Sequence, residues 1–147
     1  MKILNNVLYI EKDERYINLK NTIMVAKIIQ GDKSKIAFNF ENIVSNKNDD
    51  YLIPEFHYMF LDYNELENTY EQLSKILVSY GFIEFETLNG KRLINPNKIN
   101  SFYFKDNILY LNLNSSLNTL DKKLSSLSLK CSNVNKKDIE KLIENIL

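Results

Sequence analysis

Tyr16-Ile17-Asn18-Leu19 and Leu93-Ile94-Asn95-Pro96 are the two stretches whose joint reading decides the fold. Each places two large apolar residues before an asparagine, and each is followed shortly by an isoleucine, Ile23 or Ile99. Outward from them the likeness continues. Ala37-Phe38-Asn39-Phe40 matches Tyr110-Leu111-Asn112-Leu113, and Phe56, Tyr58 and Phe60 match Leu127, Leu129 and Cys131. Asp62 matches Asn133, while Leu73, Ile76 and Leu77 match Ile143, Ile146 and Leu147. The offset drifts smoothly from about 77 to about 70 residues, as changes in loop length would make it. Chance alignment of two β-rich, Asn-rich segments is the alternative. The expected architecture is α+β, with two diverged repeats in a pseudo-twofold arrangement, each an antiparallel β-meander ending in an amphipathic helix. Unit one covers residues 1–81 with its helix at 63–80. Unit two covers 82–147 with its helix at 135–147.

The helices carry the clearest local signals. Asp62-Tyr63-Asn64-Glu65 fits a capping box, in which Asp62 accepts from backbone N–H groups and Glu65 reaches back. Leu66, Tyr70, Leu73, Leu77 and Tyr80 follow at helical spacing, and Gly81 stands where a C-terminal cap is wanted. Asn135-Lys136-Lys137-Asp138 is a weaker cap before the stripe Ile139, Leu142, Ile143 and Ile146. Most of the rest alternates with period two. Strands are predicted at 7–10, 15–19, 23–29, 36–40, 56–60, 82–86, 92–94, 99–104 and 108–113. Asn89-Gly90 is a hairpin turn signal. A polar loop is expected at 45–50. Between Leu117 and Cys131 the spacing predicts a short helix or turn followed by a strand.

A compact domain of this length buries roughly 70% of its unfolded surface, enough for a core without staples. Nine tyrosines, eight phenylalanines and no tryptophan favour strands over a helical bundle. Cys131 is the only cysteine, which excludes an internal disulfide and suits a small buried apolar residue. The opening residues have no leader pattern, and no apolar stretch approaches the roughly 18 residues of a membrane span. A cytoplasmic protein with no membrane partner is therefore expected. Frequent Asn, Lys and Ile suggest an AT-rich coding sequence from a low-GC bacterium, its phage or a plasmid.

Net charge is zero, yet residues 1–90 carry 9 basic and 14 acidic side chains, against 10 basic and 5 acidic in residues 91–147. Such asymmetry lets the halves attract each other, lets molecules associate head to tail, or lets one half meet an anionic partner.

Chemistry is sparse. His57 is the only histidine, and its place in the 56–60 alternation puts it opposite Phe56, Tyr58 and Phe60, on a polar face. Neither His57 nor Cys131 has a second soft ligand at suitable spacing, so no metal or cofactor is expected. The three glycines are isolated and form no phosphate-cradling loop. Glu84 and Glu86 share one strand face and could hold a divalent ion or work as an acid/base couple. Alternation instead puts Ile83 and Phe85 in the core and both glutamates in water. Lys91, Arg92, Lys98 and Lys105, interleaved with Tyr103 and Tyr110, are the candidate nucleic-acid surface, since aromatics beside cations can stack bases. Aromatics on strands are also ordinary core residues. Glu65, Glu67 and Glu71 give the predicted 63–80 helix an acidic face that would suit a nucleic-acid-binding protein partner, or simply water.

Leu88-Asn89-Gly90-Lys91-Arg92-Leu93-Ile94-Asn95-Pro96-Asn97-Lys98-Ile99, with Ile108-Leu109-Tyr110-Leu111 beyond it, resembles small bacterial β-domains. The flagellar-operon protein family has this pattern, and LytTR-type DNA-binding domains carry a looser version. The resemblance covers residues 88–113 and implies shared turn and core residues, with no catalytic residue. It breaks down at Asn114-Ser115-Ser116, where the family has a glycine-containing turn.

The function expected from these readings is non-enzymatic binding of another protein. Small orphan proteins of phages and mobile elements often inhibit host enzymes or defence systems in this way, as anti-CRISPR proteins do. A nucleic-acid-binding regulator using the basic C-terminal half is the second expectation, and a small enzyme the third. A homodimer is compatible with each.

Overall fold

Period-two alternation is obeyed along most of the chain, and each strand's partner is set by which of its faces can be buried. The computed structural model describes residues 1–30, 33–45, 52–87, 90–113, 128–131 and 136–146. Strands β1 (Lys2–Leu4), β2 (Val7–Ile10) and β3 (Arg15–Asn18) form a three-stranded sheet in that order. β4 (Thr22–Gln30), β5 (Lys33–Ser45) and β6 (Leu52–Leu61) belong to a larger sheet. So do β7 (Ile83–Thr87), β8 (Gly90–Ile94), β9 (Ile99–Lys105), β10 (Ile108–Leu113) and β11 (Ser128–Cys131). Its order is β6-β5-β4-β8-β7-β11-β10-β9, antiparallel throughout. Helices α1 (Tyr63–Tyr80) and α2 (Lys136–Asn145) complete a mixed α+β fold that is mostly β. No described helix is long and apolar enough to cross a membrane.

The expected boundary at 81/82 is spanned by this sheet. β4 pairs with β8 through Met24↔Ile94, Val25↔Leu93 and Ala26↔Arg92. Because side chains alternate, Leu93 and Ile94 enter different cores. Leu93 joins Val25, Ile36, Phe38, Met59 and Leu61 beneath Leu66, Tyr70, Leu73 and Leu77 of α1, closed over by Leu8, Ile10 and Ile17. Ile94 joins Ile83, Phe85, Leu109, Leu111 and Cys131, with Leu142 of α2. Each fully buried aliphatic side chain stabilises by roughly 1.5–3 kcal/mol before entropy is charged against it.

Two 3-10 turns, Leu19–Asn21 and Pro96–Lys98, feed β4 and β9. Asn18 (φ −79°, ψ 107°) and Asn95 (φ −78°, ψ 111°) cap them, each side-chain oxygen accepting from the backbone N–H two residues on, at 3.0 Å from Lys20 and 3.1 Å from Asn97. Both sequences contain the Asx-turn chemistry that makes this possible, and Pro96 supplies a preset φ at the first position of its turn.

Several expectations change. Over 56–60 the outward face carries Phe56, Tyr58 and Phe60, while His57, Met59 and Leu61 face inward, opposite Phe38, Ile36 and Ser34. Both faces of β6 are apolar in sequence, so alternation alone does not choose between them; the register with β5 does. Cys131 is buried whereas Phe60 is exposed, so the expected match between them fails. Among the described residues of α2, Leu142 is buried and Ile143 is exposed, so Ile143 does not take the place that buried Leu73 takes in α1. The Asp62 side chain caps nothing; its carbonyl oxygen accepts from Glu65 N–H at 2.9 Å, and the Glu65 carboxylate lies 3.6 Å from Lys12. β1 lies outside the predicted strands. Gly81 does close α1, with φ 127° and its N–H donating to the Leu77 and Val78 carbonyls. Asn89, Asn133, Asn135, Leu147, the 46–50 loop and the 114–127 segment lie outside the described residues.

Candidate functional site

β6 ends the eight-stranded sheet, and its outward side chains form one continuous aromatic row. Phe56, Tyr58 and Phe60 are 40%, 38% and 59% exposed. Phe56 and Tyr58 stack with centroids 5.9 Å apart and planes 7° off parallel, and Phe60 follows at 6.3 Å. Lys35, opposite Phe60 on β5, brings its ammonium 4.1 Å from the Tyr58 ring centroid, a cation–π contact. Ala37, opposite Tyr58, keeps the floor beside the row low. An inward anchor holds the strand: His57 Nε2 lies 3.0 Å from Asp13 Oδ2 in the turn between β2 and β3. The row is therefore a fixed apolar ledge with the Lys35 ammonium set along it. Its signal in the sequence is the spacing of three aromatics two apart, on the face opposite His57.

The basic half divides. Lys98 donates to Glu41 at 2.7 Å, and both side chains are largely buried. Arg92 is half-buried on the Ile94 face, donating to the Lys91 and Lys27 carbonyls at 3.2 and 3.5 Å, and burial lowers its pKa. Both cations are already engaged within the chain. Lys91, Tyr103, Lys105 and Tyr110 do share a face, together with Lys130. Tyr103 and Tyr110 stack on each other at 4.6 Å with planes 8° apart, so each ring already covers one side of its neighbour. Glu84 and Glu86 stand on this same face, with Glu86 directly opposite Lys91.

Glu84 is more than a solvated strand residue. Ser74 and Tyr70 of α1 donate to its carboxylate at 2.9 and 3.2 Å, and Lys91 lies 3.8 Å away. Burial, and then the Glu84 charge, push the Tyr70 hydroxyl well above its ordinary pKa, so it remains a donor. Lys27 sits 5.1 Å from the Tyr70 ring centroid and donates to both Glu67 oxygens at 2.8 Å. These contacts clamp α1 across the β4–β8 join. Glu71 is exposed.

Among the described residues no three His, Cys, Asp or Glu side chains could together hold a metal ion. Cys131 is buried, which pushes its thiol up to about 12. The chain matches no protein-family model, and comparison with curated proteins and with solved structures finds no match.

Proposed function

We propose that this protein acts by binding another protein, without catalysis, through the aromatic ledge of β6. The carrying observation is the row Phe56-Tyr58-Phe60, three large rings exposed side by side on a sheet-end strand. Monomeric proteins rarely present contiguous apolar surface without a use for it. Aromatic anchors are also the side chains from which interface affinity is mostly drawn. Lys35 beside Tyr58 selects a partner whose apolar strip is flanked by a carboxylate. A small inhibitor of a host enzyme or defence system, carried by a phage or mobile element, is the role this surface suits.

The duplication belongs to the same reading. Val25↔Phe38 in β4–β5 has its counterpart in Phe102↔Leu111 of β9–β10, and Ile36↔Met59 in Leu109↔Cys131. Leu8↔Ile17 corresponds to Ile83↔Ile94. Even the register irregularity falls at matching places, after Thr22 and after Ile99. These agreements favour two diverged copies that kept a core and changed their surfaces.

The test is capture of a stoichiometric protein partner by the tagged protein expressed in its native host, with Phe60→Glu and Tyr58→Ser as controls. The partner should be lost from both variants while their thermal unfolding stays unchanged. Retention by the variants would sink the ledge as the site. Nucleic-acid binding is the second reading, favoured by Tyr103, Tyr110, Lys91, Lys105 and Lys130 on one face; it requires salt-sensitive binding. Glu84 and Glu86 on that face weigh against phosphate.

A further inference from the structure

Resting on the reading of the halves as copies, we infer that the protein associates head to tail with a second copy of itself, β3 of one molecule pairing with β9 of another. The chain already contains one such join, between β4 and β8. There Val25 and Leu93 lie opposite each other, both fully buried. The Asn95 backbone N–H donates to the Ile23 carbonyl at 2.9 Å. Its side-chain amide donates to the Leu19 and Thr22 carbonyls at 3.2 and 3.0 Å.

Every part of that join has a counterpart that is not so used. β9 pairs only with β10 and β3 only with β2 among the described residues. Phe102 corresponds to Val25, and Tyr16 to Leu93, yet Tyr16 is 72% exposed. Asn18 caps its 3-10 turn as Asn95 does, but its amide nitrogen meets no carbonyl among the described residues. A crevice of about 180 Å³ runs along the β3 edge between Tyr16, Asn18 and Phe40. Within one chain β3 and β9 lie in different sheets, so the missing strand is supplied by another molecule.

Copying the register of the existing join places Phe102 opposite Tyr16 and Tyr103 opposite Arg15. It carries the Asn18 amide to the Pro96 and Ile99 carbonyls of the second copy. The same register brings Lys105 to the turn holding Asp13 and Glu14. That pairing agrees with the excess of acidic side chains in residues 1–90 and of basic ones in 91–147. Such a contact uses two different surfaces, so each association leaves one free edge at either end and extends or closes a ring.

The test mixes full-length Tyr16→Cys protein with full-length Phe102→Cys protein under mild oxidation. Directly opposed residues of an antiparallel pair are within disulfide reach. Buried Cys131 is silent in both proteins. The expected result is a crosslinked dimer in the mixture and none from either protein alone. Dimer from Tyr16→Cys alone, or none from the mixture with wild type sedimenting as a monomer at every concentration, overturns the inference. Asn18→Asp keeps the capping oxygen and removes the donor, so association should weaken about tenfold while the unfolding midpoint holds. A fall in the midpoint with association unchanged also overturns it. A monomer whose fold is still destabilised by Asn95→Asp would leave the duplication standing and end the association alone.

Discussion

The Asn95 amide nitrogen donates to the Thr22 carbonyl oxygen at 3.0 Å, so the turn before β9 is fastened to the turn before β4. Asn95 is buried, and its side chain also accepts from Asn97 and donates to Leu19. Replacing it with alanine leaves two buried carbonyls short of a donor and one turn without its cap. The expected cost is about 2–4 kcal/mol, read from urea denaturation. Asn18→Ala removes only an exposed cap and should cost about 1 kcal/mol or less. Equal costs would remove the bridging role from Asn95.

The two faces of β6 separate sharply under substitution. Met59→Ala empties a fully buried site and should lower stability by about 2–5 kcal/mol. Phe60→Ser, on the outward face, should change it by about 0.5 kcal/mol or less. Chemical denaturation of the two variants checks the orientation that the aromatic spacing had concealed.

His57 and Asp13 join the β2–β3 turn to β6, 44 residues away in the chain. A double-mutant cycle with His57→Gln and Asp13→Ala should return a coupling of about 1 kcal/mol. A coupling near zero would mean the contact holds nothing together.

Cys131 should react with a thiol reagent only as fast as the protein opens. Burial pushes its folded pKa up to about 12, above the 9.0 of a free thiol. Below pH 9 the thiol is neutral in both states and its contribution to stability is complete. As pH rises from 9 toward 12 only the unfolded chain ionises, so stability falls. Cys131→Ala should flatten that part of the curve, though Tyr70, raised in the same direction, keeps some slope. The readout is the urea midpoint between pH 8 and pH 10.5.

Much of the fold is legible from residues whose chemistry is local. Gly81 closes α1, Asn18 and Asn95 close tight turns, and Leu66, Tyr70, Leu73 and Leu77 mark one helix face; none of these needs a distant partner. What depended on register was harder. Phe56, Tyr58 and Phe60 alternate perfectly with His57, Met59 and Leu61, and only pairing with β5 decides which set is inside. Ile143 and Leu142 pose the same problem on α2. For Arg92 and Lys98 the sequence counts charges without showing their partners, here backbone carbonyls and Glu41. β1 is only three residues long and carries too little pattern to be seen.

Leu93 and Ile94, neighbours in the chain, point into two cores on opposite sides of one sheet. A tug on either core is therefore felt at once by the other. Melting α1 away from Leu93 loosens β8, and β8 carries Ile94 out from beneath α2. The molecule should lose its structure in a single cooperative step. Cutting it after Gly81 should yield two fragments, neither folded alone, that regain structure when mixed.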